Sequence, residues 1–72
     1  MGAKDAVLQK RFECVAGTSS KFWEFREVGP GKFEASWGKI GKAPQGTKLY
    51  TEDEINALVP AKKKKGYRQV SF

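Results

Sequence analysis

Lys21-Phe22-Trp23-Glu24-Phe25-Arg26-Glu27-Val28, Gly29-Pro30-Gly31, Lys32-Phe33-Glu34-Ala35-Ser36-Trp37 is the stretch that decides the fold. Read two residues at a time, its first segment sets Trp23 and Phe25 on one side, with Phe22, Glu24, Arg26 and Val28 on the other. The last segment does the same with Phe33, Ala35 and Trp37 against Lys32, Glu34 and Ser36. A period of two is that of a half-buried strand. Gly-Pro-Gly between them reverses the chain sharply, so the two strands are expected to pair antiparallel. Working outward, Arg11 to Val15 alternates too, with Phe12 and Cys14 on one side. A turn over Ala16-Gly17-Thr18-Ser19-Ser20 separates it from Lys21 to Val28. Met1 to Lys10 is expected to be a loose leader, and residues 11–72 a single domain.

Downstream, Gly38 to Gly46 reads as a Gly- and Lys-rich loop in which Pro44 prevents regular pairing. Thr47 to Tyr50 fits one more short strand. Thr51-Glu52-Asp53-Glu54 is then a capping box, and three acids in the first turn suit the helix dipole. Tyr50 and Ile55 occupy the positions of a hydrophobic staple, and Ile55, Leu58 and Val59 give one apolar face. Pro60 is expected to stop this helix after about two turns. Tyr67 to Phe72 alternates again and fits a final strand returning to the sheet. The expected class is therefore α+β: a small twisted antiparallel sheet of four to five strands with one short helix packed on it.

Composition narrows the function. Seventy-two residues leave little room for both a core and an enclosed active site, and a chain of this size buries only roughly 60% of its unfolded surface. Nine aromatic residues argue against disorder. Cys14 is alone, so no disulfide forms within the chain, and there is no His. The commonest general base and the commonest metal ligand are thus missing together, and Glu52, Asp53 and Glu54 are explained by capping. No catalytic residue, metal site, cofactor or small-molecule substrate is expected. No apolar run is long enough to span a bilayer, and the N-terminus lacks the pattern of a secretory signal or a myristoylation site. A soluble, cytoplasmic setting follows, nucleoid association included. A net charge of +6 and a pI near 9.7 point to an anionic partner.

The charge is concentrated. No acidic residue falls between Glu34 and Glu52, while Lys39, Lys42 and Lys48 all do. Trp37-Gly38-Lys39-Ile40-Gly41 lies inside that segment and sets an indole beside a lysine. Stacking on an aromatic face and phosphate neutralisation by Lys are the main terms in contacts with nucleic acid. Trp in a small sheet is more often core, and alternation puts Trp37 on the core side. Gly38, at the strand end, marks a bulge that would re-aim its neighbours. Lys21, Arg68 and the run Lys62-Lys63-Lys64-Lys65 extend the basic set. Arg68 has two candidate partners, a phosphate or Glu24. Trp23 and Phe25 are assigned to the core, Cys14 to a buried small apolar position, and Tyr67 to packing.

The series resembles the WGR domain. The likeness rests on Arg11-Phe12-Glu13, Ser20-Lys21-Phe22-Trp23-Glu24, the hairpin, Trp37-Gly38-Lys39-Ile40-Gly41, Gly46, the short helix and Lys65-Gly66-Tyr67, in that order from Arg11 to Val70. Spacing is similar to that of small standalone bacterial members. In poly(ADP-ribose) polymerases this domain contacts DNA near a strand break. The resemblance implies Trp37 as the residue stacked on a terminal nucleotide, Lys39 as the phosphate contact, and Gly38 and Gly41 as shapers of the turn. Two departures stand out: Lys39 replaces the family's Arg and loses its planar fork, and Pro60 with the lysine run shortens the helix. The leading expectation is a non-enzymatic module that binds DNA ends, nicks or gaps rather than sequence. The alternative is a protein-interaction module, an adaptor or an inhibitor of a host or phage factor, whose basic face docks an acidic partner.

Overall fold

The computed structural model describes residues 9–70. Five strands and one helix follow in chain order: β1 (Gln9–Ala16), β2 (Ser19–Gly29), β3 (Lys32–Lys39), β4 (Gly46–Thr51), α1 (Glu52–Lys64) and β5 (Arg68–Val70). The strands form one antiparallel sheet in the order β4-β3-β2-β1-β5, so the expected α+β architecture holds. β1 begins at Gln9, so Gln9 and Lys10 are sheet residues rather than leader; the rest of that expected leader lies outside the described residues, as does Ser71-Phe72. β2 and β3 also extend a residue or two past the ends that alternation alone marks.

Register confirms the faces. Phe12 sits opposite Trp23, Phe25 opposite Ala35, Trp23 opposite Trp37, and Phe33 opposite Tyr50. These residues form the side on which α1 lies. The core is mainly aromatic: Trp23 and Phe25 have ring centroids 5.3 Å apart, Phe12 and Trp23 5.6 Å, Phe25 and Phe33 5.8 Å. Ile55 of α1 closes it from above. Each fully buried large side chain contributes about 1.5–3 kcal/mol, and so small a sheet depends on these few. The β2–β3 turn is tight because Gly31 takes φ +68°, while the register slips between Glu27 and Gly29 and leaves Val28 exposed. The irregularity therefore falls there and not at Gly38, which pairs normally with Phe22.

The helix departs most from expectation. Its start is as the sequence indicates: the Thr51 hydroxyl accepts from the Glu54 N–H, and the Glu54 carboxylate accepts from the Thr51 N–H at 2.9 Å. Its end is not at Pro60; α1 runs 13 residues, through the proline, to Lys64. Proline removes one backbone donor and crowds the carbonyl four residues earlier, but contacts beyond it hold the extra turn. Gly66 at φ +100° donates to the Lys63 carbonyl, and the Tyr67 N–H donates to the Lys62 carbonyl, the two bonds of a Schellman cap. Lysines in the last turn also suit the negative end of the helix dipole.

Candidate nucleic-acid interface

α1 crosses the sheet diagonally. Its first residue donates from the Glu52 N–H to the Gly31 carbonyl at the β2–β3 turn, and the chain just past its end packs Gly66 beside the Cys14 sulfur. The helix thus puts Glu52, Asp53 and Glu54 near one end of the sheet and the lysines over the other. Cys14 is buried under this crossing, 8% exposed.

At the basic end, β2 and β3 set Trp37 opposite Trp23 and Lys39 opposite Lys21. All four share the face that α1 covers. Trp23 is buried, Trp37 is half-buried, and both lysines are exposed. Lys62 reaches down from the last turn of α1, with its ammonium 5.5 Å from the Trp23 ring centroid and 5.2 Å from that of Tyr67. Burial pulls the Lys62 ammonium below its ordinary pKa of 10.5, and the positive charges of Lys65 and Lys21 pull it further. Lys48, opposite Ala35 on the same face, lies 5.2 Å from the Tyr50 ring centroid. Like charges directly across a strand pair cost stability, so the Lys21–Lys39 pair is unfavourable in isolation.

The turn that follows explains its own glycines. The Lys42 N–H donates to the Lys39 carbonyl at 3.1 Å, closing a four-residue turn in which Gly41 takes φ +86°. The chain then folds back, and the Gln45 N–H donates to the Trp37 carbonyl at 2.8 Å. A Cβ at position 38 would lie 3.0 Å from the Gln45 nitrogen and 3.4 Å from the Ala43 oxygen, so any larger residue would push the returning backbone outward by a few tenths of an ångström. At Gly46, opposite Trp37, a Cβ would come within 2.7 Å of the indole. The indole therefore rests on glycine backbone, held flat by a neighbour that has no side chain.

Trp37 divides two shallow clefts. One, of about 220 Å³, is lined by Trp23, Trp37, Tyr50, Leu58 and Lys62. The other, of about 160 Å³, is lined by Lys21, Phe22, Trp37, Gly38, Lys39, Gln45 and Tyr67. Both fall below the roughly 300–1,000 Å³ usual for small-molecule pockets. Residues Lys21, Trp37, Gly38, Lys39 and Lys62 are thus brought together. Lys42 stands on the adjoining turn, and Lys63, Lys64 and Lys65 are exposed around the helix end.

Arg68 is not part of this cluster. It pairs in register with Glu13 on β1, on the opposite, uncovered face. That face also carries Arg11, which bonds Glu13 at 2.9 Å and Glu24 at 2.6 Å, and Arg26, 3.4 Å from Glu34. Glu24 thus pairs with Arg11, not Arg68. The Arg11 guanidinium lies 4.4 Å over the Phe22 ring and keeps that side chain buried. Burial alone would lower the Arg11 pKa, but hydrogen bonds to Glu13 and Glu24 outweigh it and raise it.

Tyr67, Tyr50 and Gln45 line the clefts although the sequence did not single them out for binding. A signal for the helix end was available: Ile55, Leu58, Val59 and Lys62 fall at i, i+3, i+4 and i+7, one helix face continued beyond Pro60. Among the described residues, no helix is long and apolar enough to cross a membrane. Comparison with protein-family models, with curated proteins and with solved structures finds no match to this chain.

Proposed function

We propose that this protein is a non-enzymatic nucleic-acid-binding module of the WGR type, which grips DNA ends, nicks or gaps. The observation that carries the reading is a cluster of lysines beside an aromatic platform, with no carboxylate paired to them among the described residues. Lys21 and Lys39 face each other across a strand pair, and Lys62 is lowered by burial and then by Lys65 and Lys21. Trp37 lines one cleft with Lys21 and Lys39 and the other with Lys62. Lysines set this close cost stability until an anion joins them, and a phosphate backbone supplies closely spaced negative charge. In this reading Lys21, Lys39 and Lys62 take phosphates, while Lys42, Lys48 and the exposed lysines of α1 widen the field. Trp37 stacks on a terminal or unpaired nucleotide. The cations of the cluster are lysines, which lack the planar fork that pairs with a base edge, so the selectivity of this reading is for structure. The ordered resemblance of Trp37-Gly38-Lys39 and the flanking residues to the WGR series, with Lys39 in place of its Arg, supports the same reading.

The test is fluorescence anisotropy with a labelled blunt duplex, a nicked hairpin and a single strand across a salt series, with wild type beside Trp37→Ala. Base stacking is worth about 1–3 kcal/mol, so Trp37→Ala is expected to lose roughly 5- to 150-fold in affinity for ends and to lose the preference for them. Equal binding to all three substrates, or none at moderate salt, overturns the reading and assigns the basic face to an acidic protein partner.

A further inference from the structure

The two edges of the sheet differ. Among the described residues β5 pairs over three positions, Arg11 to Glu13, and places Arg68 on its strand. β4 is six residues long, contains no proline, and no described strand pairs with its outer side. A long regular edge is a template for another strand.

Its outward groups follow from the register. Lys32 pairs with Thr51, and the Glu52 N–H donates to the Gly31 carbonyl just beyond them. Lys32 and Thr51 are therefore a non-hydrogen-bonded pair, and the pattern alternates from there. Leu49 and Thr47 consequently turn their N–H and C=O groups away from β3. The Thr51 N–H obeys the same parity, since it reaches outward to the Glu54 carboxylate. Leu49 also presents an apolar side chain that is 63% exposed.

We propose that β4 is a self-association edge, pairing antiparallel with β4 of a second copy in a register centred on Leu49. A two-fold axis perpendicular to the sheet keeps faces matched, so residues opposite one another must share a face. Centring on Leu49 sets Leu49 against Leu49, Lys48 against Tyr50 and Thr47 against Thr51, where the Thr51 N–H stays on Glu54 and only its carbonyl joins the new ladder. Lys48 already lies over a Tyr50 ring within one copy, and the pairing offers it a second. Centring on Lys48 would oppose two ammonium groups, and centring on Tyr50 would run the pairing into the first turn of α1. The Leu49 register is thus the one the edge accepts. It joins two five-stranded sheets into one, with both helices and both Trp37 sites on the same side.

The test is the mass of the full chain in solution by sedimentation equilibrium, across about 1 µM to 1 mM, the range of weak association. Wild type is expected to rise from 8.0 kDa toward twice that mass, and Leu49→Lys to remain at 8.0 kDa with an unchanged circular dichroism spectrum. Register is read by mild oxidation of Leu49→Cys and Lys48→Cys, with wild type, whose Cys14 is buried, as background. A hydrogen-bonded pair has Cα atoms about 5.5 Å apart, within disulfide reach, so Leu49→Cys is expected to cross-link and Lys48→Cys to stay at background. A monomer throughout, an undiminished dimer in Leu49→Lys, or faster cross-linking of Lys48→Cys overturns the proposal.

Discussion

The two faces of the sheet use positive charge in opposite ways. On the uncovered face, Arg11 and Arg26 are matched by Glu13, Glu24 and Glu34, and Arg68 shares that side with them. On the helix side, Lys21, Lys39 and Lys62 crowd together around aromatic rings, and Lys62 is lowered by burial and then by Lys65 and Lys21. The arginine face spends its charge internally, through planar forks that suit carboxylates. The lysine face carries compact ammonium groups at the ends of flexible stems, with no carboxylate paired to them among the described residues. What differs among the described residues is the placement of carboxylates by register.

Substitutions can separate these roles. The largest effect is expected at Trp23, which supports both the core and the Lys62 ammonium. Trp23→Ala should cost about 3–5 kcal/mol and leave so small a domain largely unfolded, read as loss of the thermal transition in calorimetry. Arg11→Ala comes next. Loss of two carboxylate bonds and of the cover over Phe22 should cost about 1–2 kcal/mol in urea denaturation, with DNA affinity unchanged. A fall in affinity there would end the division between the faces. Lys39→Ala is the reverse experiment. It should reduce the slope of log K against log salt by about 0.9 while leaving stability equal or a few tenths of a kcal/mol higher, since a like-charge pair is removed.

The smallest expected effect is in pH. Free Lys62 holds its proton less tightly than an ordinary lysine, and a bound phosphate would restore it. Binding through Lys62 is therefore fully present below the depressed pKa and weakens as pH rises through it, before 10.5 is reached. Lys62→Arg should remove that early weakening in an anisotropy titration. An unchanged profile would take Lys62 out of the interface.

Most of the fold was legible because alternation is a local signal. Phe12 with Cys14, Trp23 with Phe25, and Phe33 with Ala35 and Trp37 each fell on one face as their spacing indicated, and Thr51 capped as its box required. The extension past Pro60 was not legible from proline chemistry. It depends on Gly66 closing the cap and on Lys62 meeting two rings that come from elsewhere in the chain. The candidate site was half legible. Trp37, Lys39 and the acid-free segment stand out in one dimension, whereas the opposition of Lys21 to Lys39 is a property of register. Arg68 illustrates the converse: basic and close in sequence to the lysine run, it is sent to the other face by its pairing with Glu13.

The order of the strands has a consequence for synthesis. β5 lies outside β1, so Val70 pairs with Arg11, and these two residues are separated by nearly the whole described chain. On a ribosome, β1 emerges before β5 and lacks its described outer neighbour until β5 has also been made. The last ladder to close is thus also the one of longest range, the kind of contact that slows folding. A chain cut before Arg68 would leave that edge of β1 without its described partner, open to chaperones and proteases.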